Sequence, residues 1–421
     1  MSLPTYGAMA VDYHRPMTGT GEAKASLARL LQNAEHVVPQ EELAERLGRD
    51  RPLRVKLGVD PTARDITLGW AVPLRKLRAF QDEGHVAVLI MGDFTARIGD
   101  PSGKSETRPQ LSREVVRANA EACVEQLLDI LSEENLEIRF NSEWLDALNL
   151  ADLLKLTSHG TVAQMLERDD FAKRYSERRP ISIVEFMYPL MQGYDSVAIE
   201  ADVEIGGTDQ LFNLLVGRDL QRAYGQEPQV ALTMPLLVGL DGLHKMSQSL
   251  NNYVGIRESP EEVFGKVMSV PDRLAGQYAA LAAGLASDEI ADIESASSGG
   301  GPDAGDAKRR VARAVVELYH GPEAAQRAEE AFDRQFREGG VPDEMPTAGL
   351  PGDAVDGDVA YLPRVLAELG LATSRSEARR LIAQGGVRVD GQVTTTEEIP
   401  LTALRGAVLQ VGKRRFVRVA E

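Results

Sequence analysis

Residues 53–91 read LRVKLGVDPTARDITLGWAVPLRKLRAFQDEGHVAVLIM. Leu53 to Val59 is a short apolar run closed by Asp60-Pro61-Thr62, the pattern of a buried strand entering a turn. From Leu68 to Gln81 the apolar residues fall at helical spacing (Leu68, Val72, Leu74, Leu77, Phe80), and Gly84 ends the run. Val86 to Met91 is a second apolar stretch with a turn, Gly92-Asp93, behind it. Strand, helix and strand in this order predict a βαβ unit, hence a parallel sheet with a right-handed crossover.

Outward from this unit the α/β pattern continues. Arg113 to Leu131 is amphipathic and helical, and Leu136 to Phe140 has strand character. Asp202 to Ile205 leads into Gly206-Gly207, Leu211 to Tyr224 reads as helix, and Val230 to Leu232 as strand. Residues 260–337 lack strand patterns, are rich in Ala, Glu and Arg, and read as all helix. Residues 339–358 hold five Gly, three Pro and five acidic residues, the composition of a linker. The last 60 residues change again. A helix from Tyr361 to Leu369 is followed by Ser374-Arg375-Ser376-Glu377, a helix start with Ser at the cap, and Asp390-Gly391 is a hairpin turn after the strand Val387-Arg388-Val389.

The chain has 421 residues, 43% of them hydrophobic, enough for two to three domains each with a core. No apolar run approaches the roughly 20 residues of a membrane span. Residues 1–27 are polar and read as a tail without a signal layout, so a cytoplasmic protein with no membrane partner is expected. The one cysteine, Cys123, forms neither an internal disulfide nor a Cys-rich zinc site, and no metal site is expected. The net charge is −17, yet residues 361–421 hold ten Lys and Arg against six Asp and Glu. A basic module on an acidic body suits a polyanionic partner at one end.

Four segments carry candidate chemistry. Gly58-Val59-Asp60-Pro61-Thr62 leads to a helix opening with Thr67, Gly69 and Trp70, where free N–H groups suit a phosphate and glycine permits close approach; taken alone it reads first as an ordinary βα turn. Gly92 to Lys104 gathers Asp93, Thr95, Asp100 and Lys104 in the loop after the second strand, at the edge where open α/β sheets take ligands. Tyr188, Gln192 and Asp195 lie at i, i+4 and i+7, one face of a helix, and a phenol, an amide and a carboxylate are costly to bury together unless they meet something polar. Gly206-Gly207-Thr208-Asp209-Gln210 pairs with the Ser-rich loop Lys245-Met246-Ser247-Gln248-Ser249.

Taken together, GVDPTA, GDFTARIGDPSGK, YPLMQGYD, IGGTDQLFN and KMSQS occur in the order and at the spacing of the tyrosyl-tRNA synthetase family, and the chain resembles its bacterial branch from about Ala28 to Glu421. The tail SRSEARRLIAQGGVRVDG looks like an S4-type RNA-binding domain. The resemblance implies an α/β fold: a Rossmann-like catalytic domain over 28–250 with a connective insertion at about 108–200, a helical domain over 251–338, a linker over 339–358 and an S4-like α+β domain over 359–421. It implies a homodimer, with Ile181, Ile183, Val184, Phe186 and Met187 suited to an interface or to the core.

The resemblance also assigns roles. Tyr188, Gln192 and Asp100 would hold the α-ammonium of tyrosine and Asp195 would accept from its phenol, with Asp60 and Gln210 beside the amino acid. Lys56 stands where many relatives carry a second phenol-reading Tyr. Gly58, Gly69, Gly206, Gly207, Asp209, Met246 and Ser247 would cradle ATP, with Thr62, Thr67, Trp70, Lys245 and Gln248 at the catalytic positions and Mg²⁺ accompanying the nucleotide. Arg375, Arg379, Arg380 and Arg388, with Lys413, Arg414, Arg415 and Arg418, would meet tRNA phosphates, and Lys308-Arg309-Arg310 forms another basic run. The family's His-x-Gly-His is here Thr67 to Trp70, and the second Lys of Lys-Met-Ser-Lys-Ser is Gln248. Two expectations follow: a tyrosine–tRNA ligase slowed by altered ATP motifs, or a diverged paralogue that activates or binds a tyrosine-like amino acid for another acceptor.

Overall fold

The computed structural model describes residues 20–62, 64–99, 100, 112–299, 301–336, 345–412 and 415–420. It divides into two compact units, one of 1–259 with 266–319 and one of 260–265 with 320–421.

The first unit is built on a six-stranded sheet: β1 (His36–Val38), β2 (Arg54–Val59), β3 (Val86–Met91), β4 (Leu136–Phe140), β5 (Val203–Gly207) and β6 (Val230–Met234) in the order β1-β6-β5-β2-β3-β4. Strands β2 to β6 run parallel, and β1 closes one edge antiparallel to β6. β3 is buried at all six positions, which is why its sequence, VAVLIM, is unbroken rather than alternating. The Leu68–Asp82 helix links β2 to β3 and buries Leu68, Val72, Leu74, Leu77 and Phe80, the five apolar residues of the sequence pattern. The chain proceeds from β2 outward to β3 and β4, then returns to lay β5 and β6 on the other side. The strand order therefore reverses between β2 and β5, and a crevice opens there at the strands' carboxyl ends.

Two helices behind this crevice, Ile183–Ala198 and Leu211–Ala223, pack unusually closely. A Cβ on Gly193 would lie 2.8 Å from Leu220 Cδ1 and 3.2 Å from Gly217 Cα, so only glycine admits this approach. Cys123 is buried and burial pushes its thiol up to about 11, the environment of an inert core residue.

In the second unit the Ser374 hydroxyl accepts from Glu377 N and caps the Arg375–Ala383 helix as expected. Asp390 and Gly391 have φ of 47° and 78° and join Val387–Val389 to Gln392–Val393 as a two-residue hairpin. The expected linker is overturned over its described part, 345–358. Thr347–Ala348 pairs parallel with Arg418–Val419, and Val355–Asp356 pairs antiparallel with Val359–Ala360. Its few apolar residues, Ala348, Leu350, Ala354 and Val355, pack on the core of the tail, so the gain comes from docking rather than composition. The expected helical domain of 251–338 is also divided: the Pro302–His320 helix belongs to the first unit and the Pro322–Phe336 helix to the second. Residues 1–19, Lys104, Lys413 and Arg414 lie outside the described residues.

Candidate active site

A cavity of about 680 Å³ opens at the carboxyl ends of β2, β3, β5 and β6, within the size range of small-molecule sites. Gly58, Asp60 and Thr62 reach it from β2 and its turn, Asp100 from the loop after β3, Gly206, Gly207, Asp209 and Gln210 from the end of β5, and Tyr188, Gln192 and Asp195 from one face of the Ile183–Ala198 helix. Thr67, Gly69 and Trp70 line it from the start of the Leu68–Asp82 helix, and Lys245, Met246, Ser247 and Gln248 from the facing loop. One sequence-predicted site residue does not line it. Lys56 is fully buried beneath the floor, where its ammonium donates to Gln192 O and Ser196 Oγ, each at 2.8 Å, and pairs with Glu204 at 2.9 Å. Its place in the amino-acid-binding set is corrected. An unpaired ammonium there is costly; Glu204 pairs with it beneath the floor, and the ammonium's charge also reaches Asp195, whose ionised form it favours.

The end of the cavity around Asp60, Asp100 and Asp195 is acidic. Tyr188 donates to Asp60 Oδ2 at 2.8 Å and Thr95 donates to Asp60 Oδ1 at 2.8 Å. A Cβ at Gly92 would collide with this carboxylate, so the glycine after β3 makes room for it. Burial pushes Asp60 up to about 7, with the nearby charge of Asp100 adding to the effect, and burial likewise raises the Tyr188 phenol. Asp195 accepts from Trp144 Nε1 at 2.8 Å and Asn141 Nδ2 at 3.3 Å, and burial raises it to about 6. Asn141 and Trp144 were missed in the sequence. The available signal was their place directly after β4, at the same sheet edge as the other ligands. Gln210 donates to Asp100 at 2.9 Å.

The end around Lys245 is different. Lys245 forms an ion pair with Asp209 and is the only cation lining the cavity among the described residues. The Thr67 hydroxyl is spent locally: 2% exposed, it accepts from Trp70 N at 3.3 Å and caps the helix. Gln248 Nε2 donates to the main-chain oxygen of Asp65 at 2.7 Å, and Met246 packs over Gly69, whose Cβ would lie 3.3 Å from Met246 Cβ. The loop after Lys245 thus rests on the start of the first helix. Trp70 stays 37% exposed at the mouth.

In the second unit Arg375, Arg379, Arg380 and Arg388 are exposed. Arg379 donates to Tyr361 OH at 2.8 Å and Arg388 to Gly391 O at 3.0 Å. Lys308 of the other basic run is occupied in the first unit by Met268 O, Val270 O and Asp272. Of the expected interface residues, Ile183 and Val184 are exposed, whereas Ile181 and Phe186 pack on a core cluster.

A parallel sheet with an acidic and a glycine-rich segment meeting in a cavity at its switch point is an architecture that the class I aminoacyl-tRNA synthetases share, and sequence similarity places the chain in that class. Residues 48–337 match the family model described as tRNA synthetases class I (W and Y), and residues 362–403 match the S4 domain. The tyrosine–tRNA ligase of Moorella thermoacetica is 52% identical over 402 residues, covering 94% of this chain and 96% of that protein, and that of Carboxydothermus hydrogenoformans is 50% identical over 403 residues, covering 94% and 98%. The chain belongs to the tyrosine–tRNA ligase family of the class I synthetases, in its bacterial form with a C-terminal S4 domain. Among solved structures, the tyrosyl-tRNA synthetase of Archaeoglobus fulgidus complexed with L-tyrosine is similar in fold, with a TM-score of 0.58 at 23% identity, covering 73% of this chain and 99% of that one.

Proposed function

We propose that this chain activates tyrosine with ATP, releasing pyrophosphate, and transfers the tyrosyl group to tRNA(Tyr). The observation that carries this reading is Asp195: a buried carboxylate lining the cavity, held by Trp144 and Asn141, one helical face from Tyr188 and Gln192. A phenol O–H needs such an acceptor, and an ammonium needs Asp100 with neutral acceptors beside it. The tyrosine carboxylate would attack the α-phosphorus of ATP. No side chain becomes covalent, so catalysis rests on positioning and charge stabilisation.

Adenylation is slow in this reading. Thr67 caps a helix and Gln248 holds a main-chain carbonyl, leaving Lys245 as the cation for the phosphates among the described residues. Mg²⁺ enters with ATP as its counter-ion, since magnesium is commonly held by substrate phosphates. The exposed arginines of the S4 unit meet the tRNA backbone, and a second copy of the chain covers exposed apolar residues such as Ile183. Pyrophosphate exchange across a panel of amino acids, followed by transfer to tRNA(Tyr), tests the reading. Exchange dependent on tyrosine supports it, and exchange with no tyrosine dependence rejects it. Exchange without transfer to tRNA supports the alternative, a paralogue with another acceptor.

A further inference from the structure

Two buried charges outside the cavity anchor a network of side-chain amides that reaches its wall. Arg168, 5% exposed, donates from Nη1 to Asn213 Oδ1 at 2.9 Å. A guanidinium only donates, so the oxygen of the Asn213 amide must face it and its nitrogen must face away. That nitrogen donates to Gln192 Oε1 and to Gln210 Oε1, each at 2.9 Å. At the far ends, Gln192 Nε2 donates to Glu204 Oε1 at 3.1 Å and Gln210 Nε2 to Asp100 Oδ2 at 2.9 Å. A carboxylate paired with Lys56 only accepts, so Glu204 fixes the Gln192 amide from the opposite side in the same sense. Which end of an amide is which follows from such a network, and here both terminators agree.

We propose that Arg168, acting through Asn213, and Glu204, acting directly on Gln192, are positioning residues that lock the amides of Gln192 and Gln210 with their oxygens as the acceptors beside Asp100, and so make the pocket selective for ligands bearing an ammonium group. Neither Arg168, Asn213 nor Glu204 lines the cavity. Gln192 Oε1 uses one lone pair on Asn213 and keeps the other for the ligand. Were the amide reversed, an N–H would meet the ammonium. Packing preserves the device. A Cβ on Gly217 would lie 3.3 Å from Glu204 Oε2 and 2.6 Å from Gln229 Nε2, which itself donates to Glu204.

This inference rests on the reading of the cavity as an amino-acid site, and the test separates the two. Calorimetry on the full chain compares L-tyrosine, tyramine and 3-(4-hydroxyphenyl)propionate, the last without an ammonium. The variants are Glu204→Gln, which lets the Gln192 amide reverse, and Asn213→Asp, which sets an acceptor against both glutamine oxygens. Each is expected to weaken tyrosine and tyramine about tenfold to a hundredfold, the scale of one hydrogen bond to a charged group, and to leave the des-amino acid within about twofold. Should Glu204→Gln unfold because Lys56 loses its partner, Asn213→Asp leaves that pair intact and carries the test. Equal weakening of all three ligands, or none, overturns the positioning role while leaving the amino-acid site standing. Wild-type chain that takes up neither tyrosine nor tyramine overturns both.

Discussion

Gln248 donates its side-chain amide to the main-chain carbonyl of Asp65 at 2.7 Å, which ties the loop after Lys245 to the turn before the Leu68–Asp82 helix. At the sequence level position 248 reads as a lost charge. In the structure it is also a gained contact, and this bears on what a reversion would do.

Restoring the charge by Gln248→Lys breaks this contact but places a cation at the nucleotide end. The expected outcome is pyrophosphate exchange faster by about 10²–10³, the usual worth of one aimed donor. The combination with Thr67→His and Trp70→His should go further. Because Thr67 caps the helix, that exchange also lowers stability by about 1 kcal/mol, measurable by urea denaturation. Exchange rates unchanged by Gln248→Lys would show that the loop's docking, not its charge, limits the reaction.

Trp144→Phe removes the 2.8 Å donor to Asp195 without emptying the site. The carboxylate then loses the hydrogen bond that favours its charged form, so its titration moves up from about 6. Tyrosine should bind about tenfold more weakly at pH 7 while phenylalanine, with no phenol, is unaffected. Calorimetry with both ligands checks the split.

The acidic pocket makes a pH prediction whose sign is fixed. An unfolded Asp ionises near 3.9, whereas folded Asp60 ionises at about 7 and Asp195 at about 6. Raised carboxyls bind more protons in the folded state, so their effect on stability is most favourable at low pH and is lost as pH rises from about 4 to 7. Ligand binding runs the other way, since an ammonium prefers ionised partners. Tyrosine affinity should increase between pH 6 and 8, with proton release on binding, and Asp60→Asn should flatten the upper part of that profile. Calorimetry in buffers of different ionisation enthalpy measures the released proton.

A fragment of 345–421 keeps the strands Thr347–Ala348 and Val355–Asp356, and one of 359–421 loses both. The longer fragment is expected to fold and to bind tRNA with a salt-dependent affinity, and the shorter to melt at a markedly lower temperature. Circular dichroism melts of the two decide the matter. Removing residues 339–421 from the whole chain should weaken tRNA binding and flatten its dependence on salt.

Much of this was legible in residue patterns. The runs at 53–59 and 86–91 and the helical spacing between them give β2, β3 and their crossover almost to the residue, because buried parallel strands leave an apolar signature. The face shared by Tyr188, Gln192 and Asp195 needed only the helical period. β1 was not legible: His36–Val38 is three residues long and half-exposed, and it exists because β6 offers a free edge. Trp144, Asn213, Arg168 and Glu204 were hidden for another reason. Their importance lies in partners such as Asp195, 51 positions from Trp144, and Asn213, 45 positions from Arg168, and no spacing rule reports a contact made only through the tertiary fold. Lys56 failed in the opposite direction. The resemblance set it at a ligand-reading position, but a long side chain with a buried carboxylate within reach pairs beneath the cavity instead of lining it.

The contact of Gly193 with Gly217 has a wider bearing. The helix that presents Tyr188, Gln192 and Asp195 to the cavity is seated on its neighbour with no slack, so its height above the sheet is set by two hydrogen atoms where other helices have methyl groups or more. Substrate choice is thereby exposed to residues that no ligand ever meets. A single methyl added at that crossing would lift Tyr188, Gln192 and Asp195 together, and a screen for altered amino-acid preference would recover it as readily as a change in the lining itself.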